Sequence, residues 1–397
     1  VTPDSGLTAR HVGLALFALA TGGFAIGTTE FVTMGLLPQI ADGVDISIPT
    51  AGHVISAYAI GVVVGAPVIA ALGARTGRKR LLLGLMAVFV LGNVLSAVAD
   101  GYEFLMAARF LTGVPHGAFF GIGAVVAASM VPAGRRAWAV SMSMVGLPVS
   151  NIIGVPVTTL LGQRLGWQVP FLAVGGLGLL TLVAVWFWVA PQPVGSDVNV
   201  RSELSALSRP QVWMALLVGM VGFGGMFATY SYITPTMTEL AGFSEAAVTV
   251  VLAVYGVGMT CGTVVGGRLA DRALMPSLYG GLIAIAVVLA TFGWLAQTKP
   301  GALAAVFAMG LSASILVPAL QTRLMDVAHE GQSLAASLNH STLNVANALG
   351  AWLGSVVLAA GYGYEWPSRV GAALAVAGLA LALISGLMDR RGTRLTA

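Results

Sequence analysis

Apolar runs of membrane-crossing length recur along this chain from one end to the other. About 20 apolar residues cross a bilayer as a helix. A helix that is apolar all round belongs in a large core or in lipid, and runs repeated over the whole length leave lipid. Charge is correspondingly scarce, 9% of residues against about 25% in a soluble domain. Read between charged or turn-rich breaks, the runs fall at 13–37, 50–72, 80–98, 102–129, 137–161 and 169–190, then at 212–235, 245–266, 277–297, 301–321, 333–359 and 367–388. The expectation is an all-α integral membrane protein of twelve transmembrane helices, with no room left for a soluble catalytic domain. The first run is too long for a cleaved signal peptide and reads as the first span.

The longest hydrophilic stretch, 191–211, lies near the middle and holds Pro191, the Gly195-Ser196-Asp197 run, Arg201, Glu203 and Arg209. It reads as a cytoplasmic linker between a bundle at 1–190 and a second at 212–397. The net charge of +4 and pI near 9.5 do not point to nucleic acid, because the basic residues sit in short loops, where they set topology. With twelve spans both termini share a side, and that side collects fifteen Lys and Arg against three on the other. The excess places both termini in the cytoplasm. The single cysteine, Cys261, excludes an internal disulfide and a thiol-metal cluster.

The two halves repeat at an offset of 197 residues. Gly22 pairs with Gly219, Gly27 with Gly224, Pro38 with Pro235, Ser47 with Ser244, Tyr58 with Tyr255, Gly61 with Gly258, Gly65 with Gly262 and Arg75 with Arg272. Parallel repeats with a site near the midplane are a common plan of secondary transporters. Gly23 and Gly27, Gly61 and Gly65, Gly113 and Gly117, and Gly258 and Gly262 each stand one helical turn apart, the pattern that lets helices approach closely in lipid.

Four motifs carry a resemblance. After the second span come Gly73, Ala74, Arg75, Thr76, Gly77, Arg78, Lys79 and Arg80; the second half has Gly267, Arg268, Leu269, Ala270, Asp271 and Arg272. The fourth span holds Leu105, Arg109 and Gly113 at four-residue steps. The fifth holds Gly146-Leu-Pro148 and Gly154-Val-Pro156, then Gly162, Gln163, Gly166 and Trp167. The first reads Thr28-Thr29-Glu30-Phe31-Val32-Thr33-Met34-Gly35-Leu36-Leu37-Pro38. Over essentially its whole length the chain resembles the major facilitator superfamily, and within it the drug-proton antiporter branch. The first-span motif is similar to that of sugar-efflux (arabinose-type) permeases, purine nucleoside exporters and chloramphenicol-resistance exporters. The resemblance implies two pseudo-symmetric six-helix bundles and a gating role for Gly73, Arg75, Gly77, Arg78, Asp271 and Arg272. It makes Gly146, Pro148, Gly154 and Pro156 an antiporter signature, and ties Arg109 to proton coupling. It also implies a transporter that works as a monomer. The loop departs from the family at Ala74, where an Asp is usual, and the outer loop at Gln168, where an Arg is usual.

Glu30 and Arg109 are the charged side chains well inside the expected spans. A charge at membrane depth costs about 2.5–3.5 kcal/mol on insertion scales and therefore faces a cavity or the bundle interior. Rise per residue puts Glu30 roughly 25 Å along an outward helix and Arg109 roughly 10 Å along an inward one, so the two lie at similar depth. Burial favours a neutral carboxyl and a guanidinium favours a charged one, so Glu30 is expected to bind the transported proton with Arg109 modulating it. A static ion pair is the competing reading. His116, two turns from Arg109, is a relay or a neutral interior histidine. His340, Asn344 and Asn347 form a polar stripe on the eleventh span, for substrate contact or for bonds between helices. Phe223, Phe227 and Tyr230 share a face of the seventh span and line a substrate site or pack against lipid; Asn151 is a further cavity candidate. Phe227 occupies the repeat position of Glu30, so coupling chemistry is expected in the first half alone.

No Walker motif, His-Glu-x-x-His, Gly-x-Ser-x-Gly or paired intramembrane aspartates are present, which speaks against a pump ATPase and a membrane enzyme. The expected function is proton-driven export of a small organic solute (drug, sugar or nucleoside-like) across the inner membrane, with proton-coupled import of a sugar or nucleoside as the alternative. Its partners are that solute, protons and the bilayer; no cofactor, metal or nucleic acid is expected.

Overall fold

The structure, a computed structural model, describes residues 8–46, 48–192 and 200–395. Ser47 of the repeat and the Gly195–Asp197 part of the expected linker lie outside the described residues. Six long helices come first: α1 (Ala9–Gly35), α2 (Ile48–Leu72), α3 (Arg78–Ala97), α4 (Tyr102–Ser129), α5 (Ala133–Leu165, in pieces) and α6 (Val169–Trp188). Six more follow: α7 (Pro210–Tyr230), α8 (Glu245–Arg272), α9 (Leu274–Leu295), α10 (Lys299–Ala328), α11 (Gln332–Ala359) and α12 (Trp366–Leu395). By length and apolarity there are 11 stretches able to cross a membrane, and the longest, Lys299–Ala359, contains both α10 and α11 around the turn His329–Gly331. The described residues therefore hold the twelve expected crossings, with helix ends up to seven residues from the expected span ends, as α8, α10 and α12 run on past the apolar runs.

Lipid, not water, suits the outside of these helices. Phe187 is 74% exposed and Trp294 73%, and apolar side chains such as Val64, Leu179, Val250 and Ile283 project outward beside them. In a bilayer such groups need no cover, and every helix satisfies its own backbone. The protein is a multi-pass membrane protein.

Packing sorts the described residues into two units, one running to Ala206 and including His329–Ser341, the other made of Leu207–Ala328 and Thr342 onward. The first ten residues of α11, which the repeat assigns to the second half, thus pack with the first unit. Within the first unit α2 packs on α4, α3 on α4 and α6, and α1 on α6; within the second α8 packs on α10, α9 on α10 and α12, and α7 on α12. The two patterns are the same six helices on. They repeat in atomic detail. A Cβ on Gly61 would strike the Phe110 carbonyl and one on Gly65 the backbone of Val114; on Gly258 and Gly262 it would strike Phe307 and Leu311 at the same offset. Helix backbones touch at these seams, which no other residue type permits.

The fifth crossing is not one helix. It runs as Arg136–Met144, Gly146–Val149, a π turn at Ser150–Gly154 and Val155–Leu165. Pro148 and Pro156 each remove a backbone donor, and the wide turn between them accommodates the loss.

Candidate functional site

The buried polar centre of the first unit is built around Arg109, on α4, with no exposed surface. Its Nη1 donates to the Thr29 hydroxyl and its Nη2 to the Thr29 carbonyl, both at 3.1 Å. The guanidinium lies over the Tyr58 ring at 4.6 Å and the Phe171 ring at 5.4 Å, where the faces of the aromatics attract the cation. Its Nε is buried without a hydrogen-bond partner. Thr29 in turn donates to Asn93 Oδ1 at 2.7 Å, and Asn93 Nδ2 to the Phe89 carbonyl at 2.9 Å. One residue beyond Thr29, Glu30 is half-buried and feels the charge of Arg109. The expected meeting of Glu30 and Arg109 thus takes a particular form: among the described residues, both guanidinium bonds go to Thr29, and the carboxylate stands beside them unbridged. An apolar cluster containing Val32, Leu36, Val54, Leu105, Trp167 and Phe171 packs beyond it.

A second set joins the first through Tyr58. Its hydroxyl lies 2.9 Å from His116 Nδ1. The His116 ring centroid is 5.3 Å from that of Phe120 and 5.3 Å from that of His340. Phe120 and His340 stack at 4.6 Å, 12° apart. Both histidines are buried. The structure therefore brings His340 together with His116, while Asn344 and Asn347, further along the same helix, are half-buried and belong to the second unit.

The other candidates are placed as follows. Asn151 sits in the π turn, half-buried, its Nδ2 donating to the Leu147 carbonyl at 3.2 Å. Gly146 packs on the α1 backbone at Ala20 and Phe24, and Gly154 on Thr28 and Phe24, so these glycines seat the broken crossing against the helix that carries Glu30. In the second unit Phe223 is buried and Phe227 and Tyr230 are half-buried; Tyr230 stacks on Tyr255 at 4.6 Å, and the Tyr255 hydroxyl lies 3.2 Å from Met226 Sδ. In the loop motif Gly73 is buried against Leu81, Arg75 is exposed, and Gly77 and Arg78 are half-buried. Of its second-half counterpart, Asp271 is half-buried and Arg272 exposed. No group of three or more metal-ligating side chains occurs among the described residues.

Sequence reasoning missed several partners. Thr29 and the Tyr58 ring hold Arg109, and Asn93 accepts from Thr29; in the sequence Thr29 shows only as a member of the first-span motif, Tyr58 only as a repeat match and Asn93 only as a polar residue in the third span. Arg323, counted from sequence among the loop cations, lies within the last turns of α10 and is 9% exposed. It pairs with Asp389 at 2.5 Å and donates to Gln211 Oε1 at 3.2 Å and Ser385 Oγ at 3.4 Å. The helix simply continues past the last apolar residue.

Comparison with known proteins places this geometry in context. The family described as Major Facilitator Superfamily matches residues 19–333. The inner membrane transport protein YdhP of Escherichia coli (strain K12) is 46% identical over 373 residues, covering 94% of this chain and 95% of that one. A chloramphenicol resistance protein of Streptomyces lividans is 32% identical over 356 residues, 87% and 89% of the two chains. Among solved structures, the fucose:proton symporter FucP of E. coli superposes with a TM-score of 0.76 at 17% identity, covering 93% of this chain and 98% of that one, a likeness of fold.

Proposed function

The chain belongs to the major facilitator superfamily, and from that premise we propose that it is a proton-coupled antiporter that exports a small organic solute by alternating access. Superfamily members are transporters, not enzymes, and carry small molecules. Export and a drug-, sugar- or nucleoside-like cargo draw support from relatives named for chloramphenicol resistance and for sugar efflux. The proposal sets the two bundles at 1–190 and 212–397, with 191–211 between them. It puts the protein in the inner membrane as a monomer, with both termini in the cytoplasm on the side rich in Lys and Arg.

One observation supports the coupling role most directly: a wholly buried arginine is pinned to the residue next to Glu30, on the neighbouring helix. A buried charge left over from structure alone is commonly replaceable by apolar packing. Here the guanidinium is fixed by Thr29 and two ring faces, so it supplies a stationary positive field. Glu30 is the mobile partner. When its surroundings are wet it exchanges a proton; when they close, the balance between burial and the fixed cation decides whether it keeps that proton. A solute that takes the same space makes the two occupancies exclusive. The Tyr58 ring lies over Arg109, and its hydroxyl carries a separate hydrogen bond to His116. Phe223, Phe227, Tyr230, Asn151, His340, Asn344 and Asn347 are the proposed solute contacts. The loop residues Gly73, Arg75, Gly77, Arg78, Asp271 and Arg272 are the proposed gate.

The test is proton movement in energised everted vesicles containing the protein, with chloramphenicol, arabinose, inosine and a lipophilic cation added in turn. The expected result is alkalinisation of the lumen by one of them, lost in Glu30→Gln and in Arg109→Ala and restored in part by Arg109→Lys, which keeps the charge without the planar fork. Wild-type exchange by Glu30→Gln refutes the assignment of the proton to Glu30.

A further inference from the structure

The connector between the halves looks hydrophilic, yet Glu203 within it is 2% exposed. A carboxylate is rarely buried without a partner, and this one has a defined set. It stands on the short helix Val200–Leu204, and its Oε2 accepts the Leu334 amide at 2.9 Å. Leu334 is the third residue of α11, among the first amides of a helix, which have no partner within it. The Ser333 amide and hydroxyl also face the carboxylate, and Arg78 acts on it electrostatically. A negative group at this end of a helix is favoured both by those free donors and by the helix dipole.

The surroundings are shaped for this contact. The short helix packs on the Gly73–Arg75 turn, on α2 and on the His329–Gly331 turn. A Cβ on Gly331 would fall 2.7 Å from the Ala206 side chain and closer still to the Glu203 carbonyl, so the approach needs glycine there. His329 is left-handed, φ 54°, a conformation that costs a non-glycine residue on the order of 1 kcal/mol unless its surroundings hold it. The loop that begins at Gly73 has alanine at position 74, where the second half carries Asp271 at the repeat offset.

We propose that Glu203 is a latch: the connector supplies the carboxylate that the loop lacks, and by capping α11 it holds that helix's first turns against the first unit in one state of the transport cycle. Release of the cap frees the start of α11 to move, and re-formation closes that end again. The latch rests on the alternating-access reading alone, and on neither proton coupling nor export.

The test uses purified full-length protein in nanodiscs, with Cys261→Ser as parent. Ser337→Cys reports on α11, one turn past the cap, at a side chain with no exposure that packs on Gly121. Ala41→Cys, 3% exposed and beyond the opposite end of α1, is the control. A maleimide labels both slowly in the parent. Glu203→Ala is expected to speed labelling at Ser337→Cys about tenfold with no change at Ala41→Cys. Glu203→Gln retains an acceptor for the Leu334 amide but loses the charge that the helix start and Arg78 favour, and is expected to speed labelling by clearly less than the alanine. The latch is overturned if Glu203→Ala labels Ser337→Cys at the parent rate, if both sites accelerate together as in a general loosening, or if the glutamine variant labels as fast as the alanine. None of these readouts involves transport, so failure here leaves the exporter reading intact, and failure of the vesicle assay leaves the latch intact.

Discussion

Thr29→Val separates a held arginine from one that merely sits in the bundle. The substitution keeps the side-chain volume and removes a single oxygen. That oxygen accepts from Arg109 Nη1 at 3.1 Å and donates to Asn93 at 2.7 Å. A hydrogen bond to a charged group contributes about 1.5–3 kcal/mol and a neutral one about 0.5–1.5. Within membranes, measured bonds average nearer 0.6 kcal/mol. The two together therefore stabilise the protein by about 1 kcal/mol at the low end and about 4 at the high end. The high end is favoured because Arg109 Nε already lacks a partner, so the guanidinium would be left with the Thr29 carbonyl and two ring faces. Unfolding in mixed micelles reads this cost, and the vesicle assay reads the accompanying loss of proton-driven transport. Thr29→Ser restores the oxygen and should recover most of both. A valine variant within about 0.5 kcal/mol of wild type, transporting normally, would show that Thr29 does not hold Arg109.

Tyr58→Phe removes the hydroxyl 2.9 Å from His116 but keeps the ring over Arg109; proton-driven transport should fall about fivefold, the worth of one hydrogen bond, while solute counterflow without a pH gradient is unchanged. Gly65→Ala and Gly262→Ala place a Cβ 2.6 Å from Val114 Cα and 3.0 Å from Leu311 Cα. Both should lower the unfolding free energy by about 1–3 kcal/mol, whereas Gly13→Ala, with nothing within 4 Å, should not. Burial pushes the Glu203 carboxyl up from its ordinary value, against the Leu334 amide, Ser333 and Arg78, which pull it down; Arg75, His329 and Glu330 are the other ionisable groups on the turns that face it. The folded protein then holds that proton to higher pH than the unfolded chain does. Stability relative to Glu203→Gln should be greatest in acid and fall as pH rises from the unfolded value through the folded one. A difference that rises with pH would contradict the burial.

The crossings were legible because a bilayer imposes one rule on every residue of a span, and hydropathy records it. The repeat was legible for a related reason: Gly61 and Gly258 touch equivalent backbones, and backbone contact tolerates no other residue. The break in α5 showed as Pro148 and Pro156, though not the π turn between them, whose register depends on how the freed carbonyls are satisfied. Arg109 stood out by charge. Its anchor did not, since the choice of Thr29 over Glu30 is set by the rotation of α1 against α4, which neighbouring residues in one chain do not encode. Glu203 was hidden by its setting: in a polar stretch an acid looks solvated, and only the third dimension brings α11 over it.

At Gly61 and Gly65 between α2 and α4, and at Gly258 and Gly262 between α8 and α10, backbone meets backbone with no side chain between to change rotamer. At those points the joint has little to rearrange when force is put on it, and it cannot part without losing its backbone contact wholesale. Each pair then behaves as a stiff spar. Flexure during the cycle is displaced to members built differently, above all the proline-broken fifth crossing, whose loosened ladder of hydrogen bonds makes it the natural place for the frame to bend.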